Sequence, residues 1–172
     1  MSTQFNVDEI FEMAEQIERN GEIFYRRAEA LMPKNSQTRQ LMATLADMEA
    51  KHYQIFAKMR MEMLNLKGMD SILNPDFDPE GLAGTYLQAM ANGHVFDLAK
   101  STNEYFTGKE TAETILKMAI EREKDSIIYY IGMKEVVTED FGKDRIDSII
   151  REEMSHIVYI NNEIDKQLNS RE

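Results

Sequence analysis

Two short stretches carry residue types that could hold and use a metal ion: Glu49-Ala50-Lys51-His52 and Glu153-Met154-Ser155-His156. Each places a His three residues after a Glu, and on an α-helix that spacing brings both side chains to one face. A further Glu stands upstream of each pair in a strongly helical context, Glu18 lying 31 residues before Glu49 and Glu121 lying 32 before Glu153. Four carboxylates and two imidazoles arranged this way describe a two-metal site drawn from all four helices of a bundle. Carboxylate oxygen mixed with imidazole nitrogen suits Fe or Mn better than Ca or Mg, with Zn able to substitute. Such a donor set also leaves positions open for a small oxidant.

A single Glu-x-x-His in an acid-rich chain is usually a solvated pair, so the combination carries the weight. The chain has 3 His, and two of them have a Glu three residues before. Both pairs are one hairpin away from a Glu in an Ile-Glu-Arg setting, Ile17-Glu18-Arg19 and Ile120-Glu121-Arg122. Apolar residues flank each member at helical spacing, which turns it inward. Carboxylates buried without cations cost several kcal/mol per ion, so the pattern calls for metal.

The elements that must position these six residues are four long helices. Asn6-Val7-Asp8-Glu9 reads as a helix start, with Asn6 as N-cap and Glu9 completing a capping box. Phe11, Ala14, Glu18, Gly21, Tyr25 and Ala28 follow at helical spacing until Pro33. The four helices are expected over about 7–32, 36–67, 110–137 and 142–168. In the first hairpin, Glu18 is about 14 residues, or roughly 21 Å, from the turn, and Glu49 is about 13 residues, or roughly 20 Å, beyond it. The two glutamates therefore meet at one level, and the equal arms around Thr138–Gly142 do the same for Glu121 and Glu153.

Between the hairpins, residues 69–108 are too many for a tight turn but suit a crossover running the length of a bundle, with a short helix around Leu82–Ala91. That crossover makes the third helix parallel to the second. The halves also repeat: Ile17-Glu18-Arg19 matches Ile120-Glu121-Arg122 at an offset of 103, and Glu49 and His52 match Glu153 and His156 at 104. The fold class expected is therefore all-α, a single domain over 1–172 made of two antiparallel helical hairpins.

Composition narrows the partners. The formal charge of −11 gives no basic stripe for nucleic acid and no attraction to an anionic membrane surface. No apolar run reaches the roughly 18 residues needed to span a bilayer. Nor does the N-terminus carry the basic and apolar regions of a signal peptide, so a cytoplasmic location is expected. With no Cys, disulfides, iron–sulfur clusters, Cys-ligated zinc and thiol nucleophiles are excluded together. His94, in Asn92-Gly93-His94, reads as an exposed loop residue, and the 13 Met as core filler.

The chain resembles the ferritin-like superfamily, and within it the rubrerythrin-related proteins. The matching stretches are Ile17-Glu18-Arg19-Asn20-Gly21-Glu22-Ile23-Phe24-Tyr25, Glu49-Ala50-Lys51-His52, Ala119-Ile120-Glu121-Arg122-Glu123-Lys124-Asp125-Ser126 and Glu153-Met154-Ser155-His156. Tyr86-Leu87-Gln88-Ala89-Met90 is similar to the short crossover helix of that group. The resemblance implies two Fe ions, with Glu18 and Glu121 as terminal ligands, Glu49 and Glu153 bridging, and His52 and His156 giving one imidazole per metal. Glu22 and Asp125, four residues after Glu18 and Glu121, and Tyr25 through its hydroxyl are candidate hydrogen-bond partners of the ligands.

Two departures from the rubrerythrin pattern stand out. The four Cys of a rubredoxin module are missing, so electrons must come from another protein such as a rubredoxin. Lys124 stands where rubrerythrins proper carry an extra Glu, three residues after the third-helix ligand. The expected activity is Fe(II)-dependent reduction of peroxide or dioxygen by a homodimeric di-iron oxidoreductase, as an oxidative-stress defence. Two other readings compete: a ferroxidase, iron-storage or iron-carrier protein, and a structural metal-binding bundle without turnover.

Overall fold

A computed structural model describes residues 7–65, 86–87, 106–138 and 141–169. Four long helices account for most of them: α1 (Val7–Leu31), α2 (Gln37–Leu64), α3 (Ala112–Val136) and α4 (Lys143–Asn169). Their limits follow from local chemistry. Ser36 accepts from the backbone N–H of Arg39 at 3.1 Å to start α2, and Thr111 accepts from that of Thr114 at 3.2 Å to start α3. Each satisfies a donor that the first helical turn leaves unpaired. Gly142 closes the α3–α4 turn with φ +96°, a left-handed conformation that glycine adopts without Cβ strain. The expected N-cap Asn6 lies outside the described residues.

Polar links between helices fix their directions. Arg60 near the end of α2 binds Asp8 at the start of α1, at 2.6 and 3.0 Å, so α1 and α2 are antiparallel. Lys134 and Asp147 pair at 2.8 Å across the α3–α4 turn, making the second hairpin antiparallel too. Between hairpins, Tyr129 donates to the Ile10 carbonyl at 3.0 Å, while Tyr25 binds Glu123 further back along α3. The α1–α3 pair is therefore antiparallel as well, and α3 runs parallel to α2. Glu62 with Arg145 at 2.7 Å, and Thr38 with Glu163 at 2.6 Å, show the same antiparallel relation for α2 and α4.

One continuous core fills the bundle, with Phe11, Phe24, Phe56, Tyr129 and Tyr130 its largest fully buried members beside Tyr25. On α3 the inward stripe is Leu116, Ala119, Glu123, Ile127, Tyr130 and Met133, a spacing of three and four residues. Most of the crossover expected over 69–108, and His94 with it, lies outside the described residues. Its described part includes the helical pair Tyr86-Leu87, and these side chains sit against the bare backbone of Gly132, where a Cβ would meet Tyr86 at 2.9 Å. No helix among the described residues is long and apolar enough to cross a membrane.

Candidate metal centre

Halfway along the bundle the apolar stripes are interrupted on every helix at one level. Glu18 from α1, Glu49 and His52 from α2, Glu123 from α3, and Glu153 and His156 from α4 are each at most 5% exposed. Their donor atoms fall into two groups within 4.8 Å: Glu18, Glu49, His52 and Glu153 form one, and Glu49, Glu123, Glu153 and His156 the other. Glu49 and Glu153 belong to both. The two imidazole rings lie nearly parallel, 18° apart in plane, with centroids 5.7 Å apart.

Five of the six residues expected from the sequence are thus brought together, and the sixth is not. Glu121 is on the outside of α3, its side chain 71% exposed and held by Lys124 at 2.7 Å. Glu123 occupies the inward position instead. Two helical residues span about 200°, so Glu121 and Glu123 point to opposite sides of α3. The Ile-Glu-Arg match at an offset of 103 was a local coincidence. An offset of 105 carries the buried residues of α1 onto those of α3: Ile10 to Ile115, Phe11 to Leu116, Ala14 to Ala119, Glu18 to Glu123 and Tyr25 to Tyr130. A stripe aligned over its whole length, rather than over three residues, would have selected Glu123.

Two tyrosines hold the outer carboxylates. Tyr130 donates to Glu18 Oε1 at 2.5 Å, and Tyr25 donates to Glu123 Oε1. The sequence marks Tyr25 as a candidate partner but not Tyr130, whose position on the inward face follows only from the offset of 105. Burial and the adjoining carboxylates push both phenols well above their ordinary range, so they remain protonated donors. The other two candidate partners are elsewhere. Glu22 is half-exposed and pairs with Arg26 at 3.8 Å, and Asp125 is half-buried outside both donor groups.

The atoms that face the centre fit metal ions. Glu18 Oε2, Glu49 Oε1, His52 Nδ1, both oxygens of Glu153 and Nδ1 of His156 are buried without a hydrogen-bond partner among the described residues. His52 Nδ1 is 3.0 Å from Glu153 Oε1 and 3.5 Å from Glu18 Oε2. His156 Nδ1 is 2.8 Å from Glu153 Oε2, 3.4 Å from Glu123 Oε2 and 3.5 Å from Glu49 Oε1. Two ligands held at right angles about 2.1 Å from one ion are themselves about 3 Å apart, and the separations here run from 2.8 to 3.5 Å.

Without cations these groups perturb one another strongly. Burial and the charge of Glu153 push the carboxyls of Glu49 and Glu123 well above the usual carboxylate range. Burial by itself would lower the His52 imidazole, but the carboxylates of Glu153 and Glu18 outweigh it and raise it to about 12. His156 is raised likewise, against burial, by Glu123, Glu153 and Glu49. Burial opposes the ionised form of Glu153 too, yet its contacts with both imidazoles hold it well below the usual range. The metal-free centre therefore stores protons that cations would replace.

A crystal structure of a Thermotoga maritima protein described as a ferritin-like diiron-carboxylate protein superposes on this chain with a TM-score of 0.65. The two are 25% identical, over 91% of this chain and 93% of that one. No protein-family model matches the sequence, and no curated protein does.

Proposed function

The chain is a ferritin-like four-helix bundle, and we propose that it holds two iron ions and uses Fe(II) to reduce peroxide or dioxygen, in the manner of the rubrerythrins. The observation that carries this reading is the sharing of Glu49 and Glu153 between two complete donor groups. A lone ion would not need both groups, whereas two ions side by side would be bridged by those two carboxylates. The likeness to a diiron-carboxylate protein supports iron over the other metals that such donors accept.

Glu18 and His52 would hold one ion and Glu123 and His156 the other. Held there, two Fe(II) ions would supply the two electrons that, with two protons, convert one hydrogen peroxide into two waters. The protein's own part is to bind, orient and protect. Tyr25 and Tyr130 fix the outer carboxylates, and each tyrosine is packed against the ring of a neighbouring Phe, Phe24 and Phe56 respectively. The burial of all six ligands favours ions that stay in place over ions passing through to a store. With Glu123 as the α3 ligand, the position three residues on is Ser126, so no further carboxylate is supplied there either. Return to Fe(II) requires an external donor protein such as a rubredoxin, because the chain has no Cys.

The test is anaerobic loading of the metal-free protein with Fe(II), followed by counting the bound iron and mixing separately with O₂ and H₂O₂. About two irons per chain and rapid oxidation by at least one oxidant are expected. Many irons per chain would identify a store, and tight binding without Fe(II) oxidation would identify a structural site.

A further inference from the structure

The two donor groups are related by the internal repeat, yet their imidazoles are anchored differently. His52 turns Nδ1 toward the centre and donates from Nε2 to Glu152 Oε2 at 3.0 Å. Glu152 is 46% exposed at its side chain, so this bond connects the buried centre to the surface of α4. On the other side, Nε2 of His156 is buried with no hydrogen-bond partner among the described residues. The offset of 104 that carries Glu49 to Glu153 and His52 to His156 also carries Met48 to Glu152. A thioether stands where the repeat has a carboxylate. Among the described residues the anchor exists on one side only.

Resting on the two-metal reading, we infer that the two positions bind with unequal affinity, the one at Glu18 and His52 being tighter and the one at Glu123 and His156 weaker. Each group offers four donors, so the ligand count does not separate them. The outer partner does. A carboxylate accepting Nε2–H fixes the tautomer that leaves the Nδ1 lone pair facing the ion, sets the ring plane and raises the basicity of the ligand. Loss of such a partner typically weakens metal binding 10- to 100-fold. Glu152 is thus a positioning residue for His52, and among the described residues His156 has no counterpart.

Titration of the metal-free chain with Co(II), a redox-inert probe here, reads each step through visible absorption. Two steps separated by about 10- to 100-fold are expected. Glu123→Ala should abolish the weak step and keep the tight one, which assigns them. Glu152→Met should weaken the tight step toward the weak one, and Glu152→Gln should fall between, since an amide oxygen still accepts from Nε2–H. Because Glu152→Gln keeps an acceptor for the buried Nε2–H of His52, thermal melting of that metal-free variant is expected to stay unchanged and serves as the control for folding. Two Co(II) taken up in a single step, or a tight step unmoved by Glu152→Met, would overturn this inference while leaving the two-metal reading intact. A wild-type chain that takes up no Co(II) would overturn both.

Discussion

Tyr130 on α3 donates its hydroxyl hydrogen to Glu18 on α1 at 2.5 Å, and Tyr25 on α1 makes the matching bond to Glu123 on α3. Each tyrosine is seven residues after the outer glutamate of its own helix, so each lies two turns along the same face. The exchange ties the two hairpins together at the level of the centre. It also leaves the second oxygen of Glu18 without a hydrogen-bond partner among the described residues, 3.5 Å from His52 Nδ1.

Tyr130→Phe removes the donor and keeps the ring. Glu18 then has a buried oxygen with no partner, which costs about 1–3 kcal/mol in the metal-free protein. Metal affinity is expected to fall roughly tenfold or more, because an outer partner of the ligand has been removed. Denaturant melts and competition with a chelator measure the two effects separately. Unchanged chelator competition would show that the phenol only fills space.

Glu123→Ala and Glu121→Ala separate the inward residue from the one favoured by the local sequence match. The first should lose one of two bound metals. The second removes an exposed pair with Lys124, and its effect on stability should stay within about 0.5 kcal/mol with binding unchanged. Metal analysis after desalting decides it, and the reverse result would restore Glu121 as the ligand.

The different placement of Glu121 and Glu123 marks which parts of the site are legible in the sequence. The Glu-x-x-His pairs were legible because their chemistry depends on spacing within one helix, and α2 and α4 carry them within otherwise mainly apolar buried stripes. Glu18 was legible for the same reason. On α3, Glu121, Glu123 and Asp125 compete within five residues, and only the face opposite the core distinguishes them. Glu152 was hidden for a different reason. Its partner His52 is 100 residues away on another helix, and no local pattern marks such a contact.

Acid should act on the metal-free and metal-loaded forms in opposite directions. In the metal-free fold Glu49, Glu123, His52 and His156 all have raised pKa values, so the folded state holds protons that the unfolded chain has released. Their contribution is fully present below the unfolded values, near 4.5 for Glu and 6.5 for His, and is lost as pH rises through the folded ones. Glu153, held low, is ionised in both states above pH 5 and does not change this slope. From pH 5 to 9 the metal-free melting temperature should therefore fall. Cations must displace the same protons, so affinity and the stability of the loaded form should rise over that range. Calorimetric titration in buffers of different ionisation enthalpy counts the protons released, and a count near zero would contradict the raised values.

Gly21 on α1 leaves room for the Glu49 carboxylate. A Cβ built there would be 2.9 Å from Glu49 Oε2 and 3.2 Å from its carboxyl carbon. The same face of α3 carries Ser126 at the repeat-related position, again a small residue. In a helix interior Ala is favoured over Gly by about 1 kcal/mol, so Gly21→Ala should leave the metal-free fold as stable as before or slightly more so. The methyl group must nevertheless push the Glu49 carboxylate away from its place between the two donor groups. Metal affinity should then drop by roughly tenfold, about 1.4 kcal/mol, in a protein that melts no earlier than the wild type. Opposite changes in the two measurements would locate the effect at the Glu49 carboxylate, whereas a joint loss of stability and binding would trace it to the packing of α1 against α2.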